Sequence, residues 1–364
     1  MYEANFSADE VVAACVDRLR AYTDAPLSSC ETAMREVLAA MKPHFQSARF
    51  EALEKAADAF EVNVVTCYDR AVTEQLASSL FDLFKEKQEL SYTVEQNDET
   101  VCGEMDKFAE LAKKTDPRIP LEVISKFDWE WLNMMLVVLQ TEQNDMVREH
   151  LLNLLSVLIE QCGEPVKKML IETQLVISLV PLTHKSNGIQ IPALHILAIL
   201  YSTHAQIPLD HLDHLNVEYF RRLYRRLDDY HKTDVLDVCT NLSWLLEQQS
   251  VDTRALFDPM VEEPYECSPL GSVLISQLNR HSTLRHVRFL RNLVGLGGEP
   301  VLSRMFYEND LKVLAHVIAR ESINHDNKLV REECLSCLRS ILETGAVKSD
   351  EDIEYALANY DDKN

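Results

Sequence analysis

Apolar residues recur every three or four positions through the first 90 residues, which is the spacing of one helical face. The pattern predicts helices over 11–19 and 34–41, and a long helical run over 50–90. Since β-branched residues crowd positions 61–66, we expect one break there. Pro43 ends the second helix because its ring lacks the amide hydrogen that a helix needs.

Hydroxyl and carboxyl side chains mark two helix starts in this region. Ser7 with Glu10, and Ser28 with Glu31, match the capping box, in which the two side chains satisfy opposite free amide groups of the first turn. The polar stretch 91–102 is predicted to be a loop.

After Pro120 the pattern changes to apolar segments that follow one another with short polar breaks. No segment alternates apolar and polar residues between turn signals, as a half-buried strand does. The chain is therefore predicted to be all-α. The helices predicted in this region include 131–139, 147–159, 175–180, 191–200, 235–246, 284–294, 311–318 and 330–342.

A short string occurs twice in this second region. Gly163-Glu164-Pro165-Val166 and Gly298-Glu299-Pro300-Val301 each follow an amphipathic segment and precede a more apolar one. In each copy the glycine can end a helix at positive φ, and the proline fits the first turn of the next helix. The copies start 135 residues apart, at positions 163 and 298, which is three units of about 45 residues. This period predicts an armadillo/HEAT-like α-solenoid.

The string Asp116–Pro120 separates the two patterns. We therefore expect an N-terminal helical region over 1–115, armadillo-like helical repeats over 116–346, and a C-terminal helix with an acidic tail over 347–364. A repeat array buries each unit against its neighbours and leaves a long outer surface on which another protein can bind.

Composition and charge limit the classes of function. The chain has 364 residues, only 8 of them Gly, and a formal net charge of −23. No Gly-rich phosphate loop is present, and the negative charge disfavours nucleic acid and anionic membranes as partners. No apolar run is long enough for membrane insertion. Nine scattered cysteines without a secretory signal predict reduced thiols and a cytoplasmic protein.

Motifs for catalysis are absent, so the chain is predicted not to be an enzyme, with no catalytic, cofactor-binding or metal-binding residue and no cofactor. Cys334 and Cys337 have metal-ligand spacing but are interpreted as core residues, and 211–214 as a polar helix start after Pro208. Residues 111–115 are similar to a small actin-binding string, although lysines at the end of a helix explain them equally well.

A basic segment stands out against the acidic background, because no Asp or Glu occurs between Glu266 and Glu299. If this segment is one helix, His281, Arg285 and Arg288 share a face at i, i+4 and i+7. Such a ridge could bind an acidic surface of a partner protein, or it could be an ordinary solvated face. The predicted protein-binding residues are His281, Arg285, Arg288 and Arg291, and a second basic cluster comprises Arg221, Arg222, Arg225 and Arg226.

Several segments carry a family resemblance. Phe289–Val294, Met305–Leu311 and Lys328–Leu335, together with segments near 147–158, 208–220 and 237–242, resemble the armadillo-like leucine-rich domain of the WISH/DIP family. These are the Dia-interacting and Nck-interacting proteins and their shorter fungal relatives. The resemblance covers about 120–345 and is weaker over 1–115.

The resemblance implies a non-enzymatic activator of the actin-related protein 2/3 complex that needs no preformed filament and seeds linear actin filaments. It also implies a location at cortical and endocytic actin patches, with actin or a formin as further candidate partners. The chain shows no SH3 domain and no acidic Trp-bearing tail, so the resemblance is to the short form or to the isolated activating domain. The alternative is a generic armadillo/HEAT adaptor for another cytosolic protein complex.

Overall fold

The computed structural model describes residues 7–45, 47–89 and 98–358. Over these ranges the chain forms twenty α-helices, one 3-10 turn and no strand, which confirms the all-α prediction. The helices belong to two compact units, Met1–Val166 and Lys167–Asn364. The predicted domain limits were drawn from sequence pattern and stay a prediction.

The first unit contains eight helices within its described residues. The helices α1 to α3 bury one apolar cluster, in which Val12 and Val16 of α1 meet Met34 and Leu38 of α2 and Phe50 of α3. The bounds are α1 Ala8–Thr23, α2 Leu27–Met41, α3 Ala48–Asp58, α4 Tyr68–Glu89, α5 Asp98–Lys114, α6 Arg118–Ile124, α7 Lys126–Thr141 and α8 Asp145–Cys162.

The helix starts and breaks of this unit agree only partly with those predicted from the sequence. Ser7 Oγ accepts a hydrogen bond from the Glu10 amide at 3.3 Å, so the Ser7 half of the first predicted capping box is confirmed. The second is wrong, because α2 already begins at Leu27 after Pro26, and Ser28 lies inside the first turn. The predicted break in the long run is confirmed between α3 and α4.

The loop predicted over 91–102 is wrong in its second half. Residues 91–97 lie outside the described ranges, whereas 98–102 form the first turn of α5. Asp98 is held there by Lys87 Nζ at 2.7 Å and by Asn144 Nδ2, also at 2.7 Å. Lys87 Nζ also lies 2.6 Å from Glu142 Oε2, so this network ties the start of α5 to α4 and to the end of α7.

A left-handed turn interrupts α7 near its start. Phe127, Asp128 and Trp129 have φ of 52°, 57° and 63°, although none of them is glycine. The left-handed conformation costs roughly 1–2 kcal/mol for each such residue. The flanks hold the turn in place, since Ile124 is buried and Trp131 Nε1 donates to the Ala77 carbonyl at 2.8 Å.

The second unit continues the helical series. Successive helices pack side by side in two rows, with α11, α14, α17 and α19 in one row and α16, α18 and α20 beside it. The bounds are α9 Glu164–Ile171, α10 Leu175–Thr183, α11 Gln190–Leu200, α12 His211–His214, α13 Val217–Tyr224, α14 Lys232–Gln248, α15 Arg254–Glu262, α16 Ser268–Arg280, α17 Leu284–Met305, α18 Glu308–Asn324, α19 Lys328–Glu343 and α20 Glu351–Ala358, with a 3-10 turn at Leu227–Asp229.

Contacts between neighbouring helices recur at the predicted spacing. Asn241 Nδ2 donates to the Ala198 carbonyl across 43 residues, and Arg285 Nη1 donates to Asn241 Oδ1 across 44. Arg288 Nε reaches Glu333 Oε2 across 45. An all-α solenoid built from stacked helices accounts for this spacing.

The repeated glycines have the same backbone conformation. Gly163 ends α8 at φ 67° and ψ −140°, and Gly298 breaks α17 at φ 58° and ψ −150°. Pro165 and Pro300 each lie two residues later, in the first turn of the helix that follows. This region of φ/ψ space is open almost only to glycine, so the interpretation of the repeated string is confirmed.

Gly298→Ala is expected to lower the free energy of unfolding by about 1–3 kcal/mol. A Cβ atom at 298 would meet nothing closer than Pro300 Cδ at 3.8 Å, so backbone strain alone is the cause. Urea unfolding measures the effect. The matched control is Gly295→Ala in the same helix, where alanine should stabilise by up to about 1 kcal/mol. Equal effects of the two substitutions would contradict the assigned conformation.

No helix within 7–45, 47–89 or 98–358 is both long and apolar enough to cross a bilayer.

Candidate functional site

Two neighbouring helices of the second unit, α14 and α17, carry the candidate site. Their apolar faces are fully buried, with Val235, Leu242, Val287 and Leu290 among the core residues. The opposite faces carry polar and aromatic side chains at helical spacing. These are Asp237, Asn241 and Trp244 on α14, and Arg285, Arg288 and Arg291 on α17.

His281 does not lie on the helix that carries the three arginines. It ends α16 at φ −149° and ψ 72°, and α17 begins only at Leu284. Thr283 caps α17, since its Oγ1 accepts a hydrogen bond from the His286 amide at 3.4 Å. The single helical face predicted for 281–291 is therefore wrong for His281. Arg285, Arg288 and Arg291 do share one face of α17.

Arg285 bridges two layers of helices. Its Nη1 donates to Asn241 Oδ1 at 2.6 Å, and its Nη2 points to the Thr203 carbonyl at 3.5 Å. Its guanidinium carbon lies 6.0 Å from the centre of the Trp244 ring. This geometry fixes the side chain against α14 and leaves it half-buried.

Arg288 and Arg291 converge on one buried carboxylate. Arg288 Nε lies 3.1 Å from Glu333 Oε2, and Arg291 forms an ion pair with the same carboxylate. Arg288 also stacks over Trp244 at 4.9 Å and lies 3.9 Å from Glu247 Oε2. Two glutamates thus balance the arginines, so the surface is a paired network and not the bare positive ridge that the local sequence suggests.

A groove of about 450 Å³ opens between α14 and α17. A volume of this size can hold one or two side chains of a partner. Its lining combines imidazole, carboxyl, amide and aromatic groups: His204, Asp237, Thr240, Asn241, Trp244, Thr283, Leu284, Arg285 and His286. We call the groove together with Glu247, Arg288, Arg291 and Glu333 the α14–α17 surface.

Burial and a like charge perturb the acid in this groove. Burial raises the pKa of Asp237 to about 6, the neighbouring Asp234 carboxylate adds to the rise, and His195 opposes it. Asp234 itself lies 3.2 Å from His195 Nδ1 and 3.6 Å from His231 Nδ1. Burial and the nearby Arg285 lower the pKa of His286. The groove therefore holds an acid that titrates near pH 6.

Residues 230–357 match the family model described as SPIN90/Ldb17, leucine-rich domain. The chain carries a SPIN90/Ldb17 leucine-rich domain. This is the domain of the family that the sequence resembles, so the predicted family is confirmed over these residues. The match begins just before α14 and ends within α20, and thus contains all six residues named on α14 and α17. A comparison with curated proteins finds no match.

The SPIN90/Ldb17 family is a scaffold-type domain family, consistent with an actin-regulatory scaffold, and is not a known enzyme family. In the part of the chain that the structure describes, no three His, Cys, Asp or Glu side chains come together in a way that could hold a metal ion. Cys334 and Cys337 are buried, and burial raises the pKa of the Cys334 thiol to about 12. His211 is also buried, with its Nδ1 3.3 Å from Tyr201 Oη.

The second basic cluster lies just before the SPIN90/Ldb17 match and is paired internally. Arg221 Nη2 lies 2.6 Å from Glu262 Oε2, and Arg225 Nη2 lies 2.5 Å from Glu263 Oε1. Arg222 pairs with Glu218, and Arg226 donates to the His184 carbonyl at 2.7 Å. These arginines join α13 to its neighbours.

The segment 111–115, which is similar to a small actin-binding string, lies within α5 and the turn that follows it. Leu111, Ala112 and Thr115 are buried, and Lys114 Nζ lies 2.7 Å from Asp24 Oδ2. Most of the string therefore serves packing within the first unit.

Trp244, Glu247 and Glu333 are the members of the site that sequence reasoning missed. Arg288 and Glu333 are 45 residues apart, and Asn292 donates to Glu247 across the same separation. A search for opposite charges at the repeat period would have found Arg288 with Glu333, because side chains one repeat apart face each other in a helical array.

Asp237→Asn is expected to stabilise the SPIN90/Ldb17 domain at neutral pH. The raised pKa means that the folded state disfavours the carboxylate, so stability is lost as pH rises from about 4 to about 6. Since solvent reaches part of the groove, we expect a gain of about 1 kcal/mol at pH 7.5 and none at pH 4. Urea unfolding of the wild type and the variant at both pH values measures this gain in the free energy of unfolding.

The control for this experiment is Asp252→Asn, because Arg254 lowers the pKa of Asp252 and the pH trend should then reverse. A gain for Asp237→Asn that is equal at pH 4 and pH 7.5 would contradict the assigned pKa.

Proposed function

We propose that this protein binds the actin-related protein 2/3 complex and activates it without a preformed filament, so that the product is a linear seed filament. The observation that carries the proposal is the SPIN90/Ldb17 match over 230–357, together with the sequence resemblance over about 120–345. The domain family is consistent with an actin-regulatory scaffold, and activation of the complex is the finer role that the resemblance implies.

The activator would act by binding alone. A ligand shifts a conformational equilibrium only by binding one state more tightly than the other. The scaffold would therefore bind the active arrangement of the complex better than the inactive one. A 10⁴-fold difference, about 5.5 kcal/mol, would convert a complex that is about 1 % active into one that is about 99 % active.

The α14–α17 surface is our proposed docking site, with His281, Arg285, Arg288 and Arg291 as protein-binding residues. Arg288 is 30 % exposed and stacked on Trp244, and interfaces draw much of their energy from Arg and Trp in such half-buried positions. Because Glu247 and Glu333 already pair with the arginines, we expect a partner surface of mixed polarity and not a purely acidic one.

Equilibrium binding tests the proposal directly. Purified, fluorescently labelled complex is titrated with the protein, and saturable binding is expected. Actin monomers and a formin are titrated in parallel as the further candidate partners. If none of the three binds, the generic armadillo/HEAT adaptor becomes the better account. The proposed location at cortical and endocytic actin patches is checked by imaging a tagged chain beside a marker of the complex.

A further inference from the structure

An exposed aromatic turn in the first unit places a large apolar side chain in solvent. Phe127 is 83 % exposed, and it is the most exposed large hydrophobic side chain without a polar atom within the described ranges. It begins the left-handed run that continues through Asp128 and Trp129. Three consecutive left-handed residues other than glycine are rare in proteins, and strained backbone of this kind concentrates at functional sites.

The turn is held rigidly by both of its flanks. On one side Ile124 is buried, and Lys126 Nζ lies 2.6 Å from Glu74 Oε1. On the other side Trp131 is buried, stacks on Phe108 at 5.3 Å and donates its Nε1 hydrogen to Ala77. The flanks therefore hold the backbone of the turn while the Phe127 ring stays in solvent. A backbone that is already ordered loses little entropy on binding.

The charges around the turn indicate what it can bind. Asp128 and Glu130 are exposed on either side of Trp129, whereas Lys126 is paired with Glu74. Glu122, which precedes the turn, is paired with Arg70 at 2.7 Å. The aromatic tip thus lies in an acidic setting, which disfavours an anionic membrane surface and suits a protein pocket with basic groups at its rim.

We propose that Phe127 is an anchor that enters an apolar, basic-rimmed pocket on the actin-related protein 2/3 complex. This inference rests on the proposed function, and it adds a second contact, made by the first unit. Phe127 supplies the apolar contact, and Asp128 and Glu130 face the basic rim. Trp129, between the two acids, is half-buried.

The test compares two exposed aromatic residues of the same unit. Phe127→Ala is expected to weaken binding of the purified complex at least about tenfold, as the loss of a central aromatic anchor does. Tyr22→Ala is the matched control, since Tyr22 is 88 % exposed, and it should change the affinity less than twofold. Asp128→Asn keeps a residue that tolerates left-handed backbone, and it should weaken binding with a shallower salt dependence.

A cross-linking variant covers the case in which Phe127→Ala fails to fold. Phe127 is replaced by the photoreactive analogue benzoylphenylalanine, which keeps an aromatic ring at this position, and illumination should link it to a subunit of the complex. The same analogue at Tyr22 should give no product.

Two negative results have different meanings. Wild-type protein that does not bind the complex would overturn the proposed function and this inference together. Wild-type protein that binds, with Phe127→Ala binding equally tightly and no cross-link from position 127, would overturn the anchor and leave the proposed function intact.

Discussion

Asp69→Ala is expected to lower the free energy of unfolding of the first unit by about 3–5 kcal/mol. Arg20 Nη2 lies 2.6 Å from Asp69 Oδ1, and its Nε donates to both carboxylate oxygens at 3.0 Å. The side chains of both residues are only 1 % exposed. Without Asp69 the Arg20 guanidinium would remain buried between α1 and α4 without its paired carboxylate. An unpaired buried charge lowers the stability of the folded state.

Urea unfolding with amide exchange of α1 and α4 measures this effect. Glu31→Ala is the matched control, because its ion pair with Arg35 is longer, at 3.6 Å, and partly exposed. It should cost no more than about 1 kcal/mol. The double substitution Arg20→Met with Asp69→Leu should recover much of the loss, since it removes both charges at once. A loss below about 1 kcal/mol for Asp69→Ala would contradict a buried, unscreened pair.

Arg288→Glu is expected to reduce the affinity for the actin-related protein 2/3 complex at least about 30-fold, the scale of a hot-spot residue. It is also expected to destabilise the second unit by about 2–4 kcal/mol, because the new carboxylate would lie beside Glu333 and Glu247. Binding titration and urea unfolding measure the two effects separately.

Two further variants separate the loss of a contact with the partner from the loss of stability of the second unit. Arg288→Glu with Glu333→Arg restores one internal pair but places the new arginine beside Arg291, so stability should recover only in part while binding stays weak. Arg304→Glu makes the same charge change near the end of α17, where Arg304 lies over Tyr265, and it should leave affinity within about threefold. Wild-type affinity in the swapped variant would show that Arg288 acts only within the fold.

Local backbone features could be predicted from the sequence at positions that almost only one type of residue can occupy. Gly163 and Gly298 take the positive φ that their position before Glu-Pro indicated. Ser7 caps α1 as predicted, but Ser28 does not cap α2, because Pro26 starts that helix earlier. Short-range patterns thus located the helices. They misplaced the start of α2, where Pro26 and Ser28 both signal a helix start.

The site was less predictable because its partners are distant in sequence. A window free of acidic residues around Arg288 indicated a bare positive ridge, yet Glu333 arrives from the helix one repeat further along. Likewise nothing in Phe127-Asp128-Trp129 signals left-handed backbone, since only Asp among them favours it. The turn lies between Ile124 and Trp131, which are buried by residues distant in sequence.

The most direct test of the central claim is polymerisation of pyrene-labelled actin with purified complex and no preformed filaments. The account predicts that this protein shortens the lag in proportion to its concentration, that it does nothing without the complex, and that microscopy shows unbranched filaments first. An unchanged lag at concentrations that saturate binding would contradict it.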